Sequence, residues 1–245
     1  MNNITQAQYD EFYDRGFIII ENLFTQQEVD EILESAHRVY ETAQTLEKTC
    51  MHNNSRFVFQ NGNIQRVVWA GAQEERILAV GADKRITGVV SDLLNSKKLN
   101  QLINQLHFKM PGDGVAFAYH QDSENRGYGT EDWTDIDGKG SYVQTTLVLD
   151  EMTNENGPLN FLPYSGKNGH LYLNNKAEEK IDLSTLVTLE LKPGSVAFFG
   201  PYTVHGSLPN NSDQSRRILI NGYALPGANK KEYPGCGLGR EITVD

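Results

Sequence analysis

Between residues 101 and 225 the chain is a succession of short apolar runs separated by turn signals, with no helical period between them. The runs fall at 102–110, 115–119, 142–149, 159–162, 186–191, 196–199 and 217–223. Pro111-Gly112-Asp113-Gly114, Asn156-Gly157-Pro158 and Lys192-Pro193-Gly194 punctuate them. Parallel strands need long crossovers, usually helical, to connect them. Their absence argues against a doubly wound sheet and predicts an antiparallel sandwich or barrel of the jelly-roll kind.

Residues 1–100 read differently, as a mostly helical flank. Thr5 and Gln8 fit a capping box, and Gly16 stops the helix that follows. Phe17-Ile18-Ile19-Ile20 reads as a short buried strand. Thr25 and Glu28 form a second capping box ahead of Val29, Ile32, Leu33 and Ala36 at helical spacing. Residues 41–75 carry no clear period; Phe57-Val58-Phe59 and Val67-Val68-Trp69 fit either strands or packed loop. Ile86, Val89, Val90, Leu93 and Leu94 share one face of a helix predicted over 83–94. The expectation is one domain over 1–245, with the flank at 1–100 and the β-barrel core at 101–225. The glycine-rich, polar stretch 123–141, carrying Tyr128 and Trp133, is long for a loop and is a candidate lid.

Charge and cysteine content exclude several classes. The 22 Lys and Arg stand against 32 Asp and Glu, a net charge of −10, which argues against a nucleic-acid binder and against docking on an anionic membrane. Cys50 and Cys236 cannot build a disulfide framework and lack zinc-site spacing. The N-terminal residues lack the basic and apolar regions of a signal peptide, and the run at 17–20 is too short to cross a bilayer. A soluble protein of the cytoplasm is the expectation.

Chemistry concentrates at Tyr119-His120-Gln121-Asp122, the end of a predicted strand. Residues two apart on an extended backbone point to one face, so His120 and Asp122 could bind one metal from adjacent positions. His205, after another strand, is the best third ligand. Two histidines and a carboxylate form the facial triad of non-haem Fe(II) sites. A His-x-Asp alone is equally a hydrogen-bonded pair on a surface loop. Arg216 and Arg217 lie 11 and 12 residues beyond His205, where an apolar strand begins. Their side chains alternate, so only one can point inward, where a guanidinium needs an anionic partner such as a ligand carboxylate.

These residues carry a family resemblance that covers most of the chain. The sequence resembles the phytanoyl-CoA dioxygenase family of Fe(II)/2-oxoglutarate-dependent oxygenases, through Arg15-Gly16-Phe17, Phe108-Lys109-Met110-Pro111-Gly112, His120-Gln121-Asp122, Glu155-Asn156-Gly157-Pro158-Leu159, Leu162-Pro163-Tyr164-Ser165-Gly166, His205-Gly206-Ser207 and Ser215-Arg216-Arg217. The order and spacing of these pieces are more specific than any one of them. The resemblance implies a double-stranded β-helix, cupin-like, with iron in one mouth. It places His120, Asp122 and His205 on the metal, Arg216 on the distal carboxylate of 2-oxoglutarate, Ser207 beside it, and Gln105 in the co-substrate pocket. Thr146 stands where relatives often have tryptophan, which makes that wall smaller and more polar. The usual Pro-Gly-Ser-His turn is replaced by Pro163-Tyr164-Ser165-Gly166, and His170 lies further on as a structural residue. His37, His52 and His107 match no ligand position.

The reaction so implied consumes O2 and 2-oxoglutarate and hydroxylates an unactivated C–H bond of a small metabolite or natural-product intermediate. Desaturation, cyclisation or another oxidative rearrangement are the alternatives with the same cofactors. Halogenation is disfavoured because related halogenases carry a small residue where this chain has Asp122. A cupin-like metal isomerase or hydrolase, or a non-catalytic binding protein, are the readings from other classes. Tyr128 and Trp133 are the candidate substrate contacts. Neither the substrate nor the oligomeric state is legible.

Overall fold

A computed structural model describes residues 2–174 and 176–245. Both N-terminal helices start as the sequence predicts. Helix α1 (Gln6–Arg15) follows Thr5 and α2 (Gln26–Gln44) follows Thr25; each capping box is closed, by Gln8 and by Glu28. Gly16 ends α1 at φ +99°, a conformation that L side chains rarely adopt. A Cβ there would also stand 2.7 Å from Thr203 Oγ1. The chain then enters β1 (Phe17–Ile20). Helices α3 (Glu75–Val80) and α4 (Lys84–Leu94) come later, and α4 buries the apolar face read from its spacing.

The remaining strands are β2 (Cys50–His52), β3 (Ser55–Gln60), β4 (Asn63–Val68), β5 (Lys98–His107), β6 (Phe117–His120), β7 (Tyr142–Val148), β8 (Asn160–Phe161), β9 (Val187–Thr188), β10 (Val196–Phe199), β11 (His205–Ser207), β12 (Ile218–Ala224) and β13 (Arg240–Thr243). Two short helices, α5 (Asp122–Arg126) and α6 (Ala177–Lys180), lie among them. One sheet runs β1-β10-β7-β12-β5-β4-β3-β2, with β13 also on β5; the second runs β6-β11-β8-β9. Every described pairing is antiparallel. This is the cupin-like jelly roll expected.

Aromatic side chains bridge the sheets. Phe17 of β1 lies 4.7 Å from Phe161 of β8, and Phe161 lies 4.9 Å from Phe199 of β10, centroid to centroid. All three are buried, and burying each ring fully is worth about 2–3 kcal/mol.

The boundaries differ from the expectation in two places. The first hundred residues are not simply a helical flank, because β2, β3 and β4 widen the large sheet and β4 pairs with β5. The hairpin between β3 and β4 turns at Asn61 and Gly62, with φ of 53° and 80°, the two positive values that a tight two-residue turn requires. The core also extends past residue 225, since β13 adds to β5.

Candidate metal centre and its cavity

The two strands that carry the histidines pair directly, with His120 of β6 opposite His205 of β11. Their rings lie 4.4 Å apart. Asp122 opens α5, so its side chain turns back toward the same point. One ligand atom from each of the three lies within 4.8 Å of the others. Gln121, between the first two, points the opposite way. Its Nε2 donates to the carbonyls of Tyr202 (2.6 Å) and Gly169 (2.9 Å), and its Oε1 accepts from the Leu171 amide (2.8 Å). The Ser123 amide adds a bond to the Pro201 carbonyl at 3.0 Å. The His-Gln-Asp segment is thereby fastened to the loop that delivers His205.

The donor set fits a divalent metal. His120 Nδ1 lies 2.8 Å from the Ala118 carbonyl and His205 Nδ1 lies 2.9 Å from the Thr203 carbonyl. A carbonyl only accepts, so Nδ1 carries the proton and the Nε2 lone pair of each ring is free. Burial, reinforced by His120 alongside, pushes His205 down to about 4, which keeps it neutral near pH 7. Asp122 is buried, and its Oδ2 has no hydrogen-bond partner among the described residues. A buried carboxylate oxygen beside two imidazole lone pairs is a donor set that fits a divalent metal. Phe199 and Phe161 pack edge-on against the His205 ring at 4.8 and 5.9 Å, and so limit its rotation.

These residues open on a cavity of about 710 Å³ between the sheets. Ser207, Arg216, Gln105 and Thr146 line it together with His120, Asp122 and His205. Arg216 is fully buried; its Nε and Nη2 donate to the Gly157 carbonyl at 3.1 and 2.9 Å, and its Nη1 has no partner among the described residues. Burial pushes this guanidinium down to about 10, still charged near neutrality. Ser207 Oγ accepts from Lys109 Nζ at 2.7 Å, which leaves its own proton to donate. Burial and the Arg216 charge push Lys109 down to about 6. The Thr146 hydroxyl is buried without a partner among the described residues.

Tyr128 and Trp133, expected as substrate contacts in a lid, are elsewhere. They stack on each other at 4.7 Å and are buried in the main core, and neither lines the cavity. The stretch 123–141 starts as helix α5, and the Tyr128 hydroxyl donates to the Gly140 carbonyl, closing the stretch on itself. From that stretch Asn125 and Arg126 reach the cavity instead. His170 holds Ser123 Oγ through Nδ1 at 2.7 Å, away from the metal cluster. His107 lies in the cavity wall, stacked on Phe117 at 4.5 Å. Arg56 and Arg66 also face the cavity, although sequence reading did not single them out; the available signal was one arginine two places from a valine on each side of the Asn61-Gly62 turn.

A metal cluster of two histidines and one carboxylate, set in a double-stranded β-helix, defines the class of non-haem Fe(II) oxygenases. Residues 12–218 match the model of the phytanoyl-CoA dioxygenase family, and the chain belongs to that family. It is an Fe(II)- and 2-oxoglutarate-dependent oxygenase. A protein of Stutzerimonas stutzeri named as a probable α-ketoglutarate-dependent hypophosphite dioxygenase is 25% identical over 94% of this chain and 81% of its own length. A methylphosphonate hydroxylase of Gimesia maris is 28% identical over 53% of this chain and 47% of its own. The non-haem α-ketoglutarate-dependent carbocyclase SnoK from nogalamycin biosynthesis has the same fold, with a TM-score of 0.74, 15% identity, and coverage of 98% of this chain and 97% of that one. No helix among the described residues is long and apolar enough to cross a membrane.

Proposed function

We propose that the chain hydroxylates a C–H bond of a small anionic metabolite, with a phosphonate as the first substrate class to test. The net reaction joins the substrate, O2 and 2-oxoglutarate to give an alcohol, succinate and CO2. The observation that carries the reading is the convergence of His120, Asp122 and His205, with both Nδ1 atoms fixed by carbonyls and one carboxylate oxygen left unpaired. The substrate class comes from the two curated relatives, whose names both specify small phosphorus oxyanions.

In this reading His120, Asp122 and His205 hold Fe(II), which supplies the activation of O2. Arg216 Nη1 and the Ser207 hydroxyl receive the distal carboxylate of 2-oxoglutarate, with Lys109 holding Ser207 in the donor orientation. Thr146 and Gln105 flank the co-substrate. Phe199 and Phe161 keep water from the far side of His205. Arg126, whose Nη2 lies 4.0 Å from Asp122 Oδ1, steadies that carboxylate.

Anaerobic titration of the protein with Fe(II) and 2-oxoglutarate tests the reading. A chelated keto acid gives a metal-to-ligand charge-transfer band in the visible range. Fully loaded iron with no such band would refute the assignment. Oxygen uptake and succinate formation across a panel of small phosphonates then identify the substrate.

A further inference from the structure

Five cationic side chains line the cavity against two carboxylates among the described residues: Arg56, Arg66, Arg126, Arg216 and Lys231, with Asp122 and Glu232. Most of these charges have evident work or company. Arg126 lies beside Asp122 and packs against the Tyr142 and Tyr233 rings, each at 5.2 Å. Arg216 faces the co-substrate. Lys231 and Glu232 are exposed neighbours on the rim. Arg56 and Arg66 remain, and neither has an ion-pair partner among the described residues.

The register places these two together. Arg66 of β4 stands opposite Val58 of β3, and Arg56 stands opposite Val68, so the arginines are diagonal neighbours on the face turned to the cavity. Arg66 is half-buried, and its one side-chain hydrogen bond goes to the neutral Gln65 Oε1. Burial and the like charge of Arg56 both lower its pKa. Arg56 is exposed and Arg66 half-buried, so an anion bridging them would offset the desolvation and like-charge repulsion that fall on Arg66. Glu232 lines the same cavity, but no described carboxylate lies within 4.0 Å of either guanidinium. The pair is also distinct from the co-substrate wall. Arg66 pairs across to His107 of β5, and β5 separates β4 from β12, the strand that Arg216 precedes, so two strand spacings, roughly 10 Å, lie between.

We propose that Arg66 and Arg56 form a second anion site in the cavity, which anchors the oxyanion of the primary substrate, a small phosphonate, on the β3–β4 wall. Arginine suits this role because its planar fork meets two oxyanion oxygens at once. The proposal rests on the oxygenase reading above.

The test is calorimetric titration of methylphosphonate, with acetate as the carboxylate probe. It is run on the 2-oxoglutarate-loaded protein, both with Fe(II) under argon and without metal. Methylphosphonate is expected to bind more tightly than acetate, and Arg66→Gln to raise its Kd about tenfold or more, Arg56→Gln by a smaller factor, with 2-oxoglutarate affinity held within about twofold in each. Arg66→Lys, which keeps the charge and loses the fork, is expected to fall between wild type and Arg66→Gln, and it carries the test if the glutamine variant does not fold. The proposal is overturned if wild type takes up no methylphosphonate at about 20 mM. It is equally overturned if acetate binds as tightly, if methylphosphonate ignores both Arg66 substitutions, or if 2-oxoglutarate affinity falls in step. Failure of the oxygenase reading looks different: the charge-transfer band is missing while metal-free binding of methylphosphonate still depends on Arg66.

Discussion

Arg216 turns into the cavity, fully buried, with Nε and Nη2 on the Gly157 carbonyl, while Arg217 turns outward and forks onto Asp150 at 2.8 Å through both Nε and Nη2. One peptide bond thus separates a cavity-facing cation from a structural ion pair. Arg216→Ala is expected to weaken 2-oxoglutarate binding about 100-fold, since it removes charge-assisted bonds to a carboxylate. Arg217→Ala is expected to leave that affinity unchanged and to lower stability by about 1 kcal/mol, a fall of roughly 2–4 °C in Tm. Equilibrium titration of 2-oxoglutarate with thermal melts separates the two roles; co-substrate loss in Arg217→Ala would exchange them.

Removing a proposed metal ligand should act before chemistry. His120→Ala is expected to abolish Fe(II) retention and to reduce turnover about 100-fold or more, with the fold intact. Metal analysis after gel filtration, beside a far-ultraviolet spectrum, checks this. Normal turnover in the variant would show that the metal lies elsewhere.

Gln121 predicts a more remote effect. Gln121→Leu would strip partners from the Tyr202 and Gly169 carbonyls and the Leu171 amide, each worth about 1–3 kcal/mol when buried and unpaired. Lower thermal stability together with weaker Fe(II) binding is expected, because the same side chain ties the His120 strand to the approach to His205. An Fe(II) titration that matches wild type would confine Gln121 to stability alone.

With 2-oxoglutarate at Arg216 and Ser207 as proposed, Lys109 is expected to give co-substrate binding a pH dependence. Its ammonium, ordinarily near 10.5, is pushed down to about 6 by burial and then by Arg216. A dianion bound nearby favours the protonated form, so 2-oxoglutarate raises that pKa. Above pH 6 binding therefore takes up a proton, and affinity falls as pH rises. Calorimetry in two buffers of different ionisation enthalpy measures the uptake, and Lys109→Met is expected to flatten the dependence. Proton release on binding would contradict the sign.

The site was more legible in the sequence than the wall opposite it. His120 and Asp122 could be paired because strand alternation is a rule of period two, and the fold then brought His205 into register with His120. Arg216 was separable from Arg217 only through alternation and the family spacing. Tyr128 and Trp133 misled because a polar, glycine-rich stretch resembles a mobile loop, whereas their stacking against each other is a long-range packing outcome that local composition does not carry. The β3–β4 hairpin was within reach: Asn61-Gly62 between two apolar runs is a strong short-range turn signal. β11 was not, since its three residues include Gly206, whose absent side chain lets the strand approach the Phe117 carbonyl and Tyr119.

The hairpin of β3 and β4 has a consequence for how such an enzyme diversifies. The proposed iron ligands and Arg216 sit on elements locked into the two-sheet core, where a change of register would scatter the three metal-ligating side chains. Arg56, Val58, Arg66 and Val68 reach the same cavity from strands nearer the rim of the large sheet, joined by a two-residue turn. Substitutions there can re-shape what the cavity admits while the reaction stays the same. Selection can therefore trade one small substrate for another through two peripheral strands.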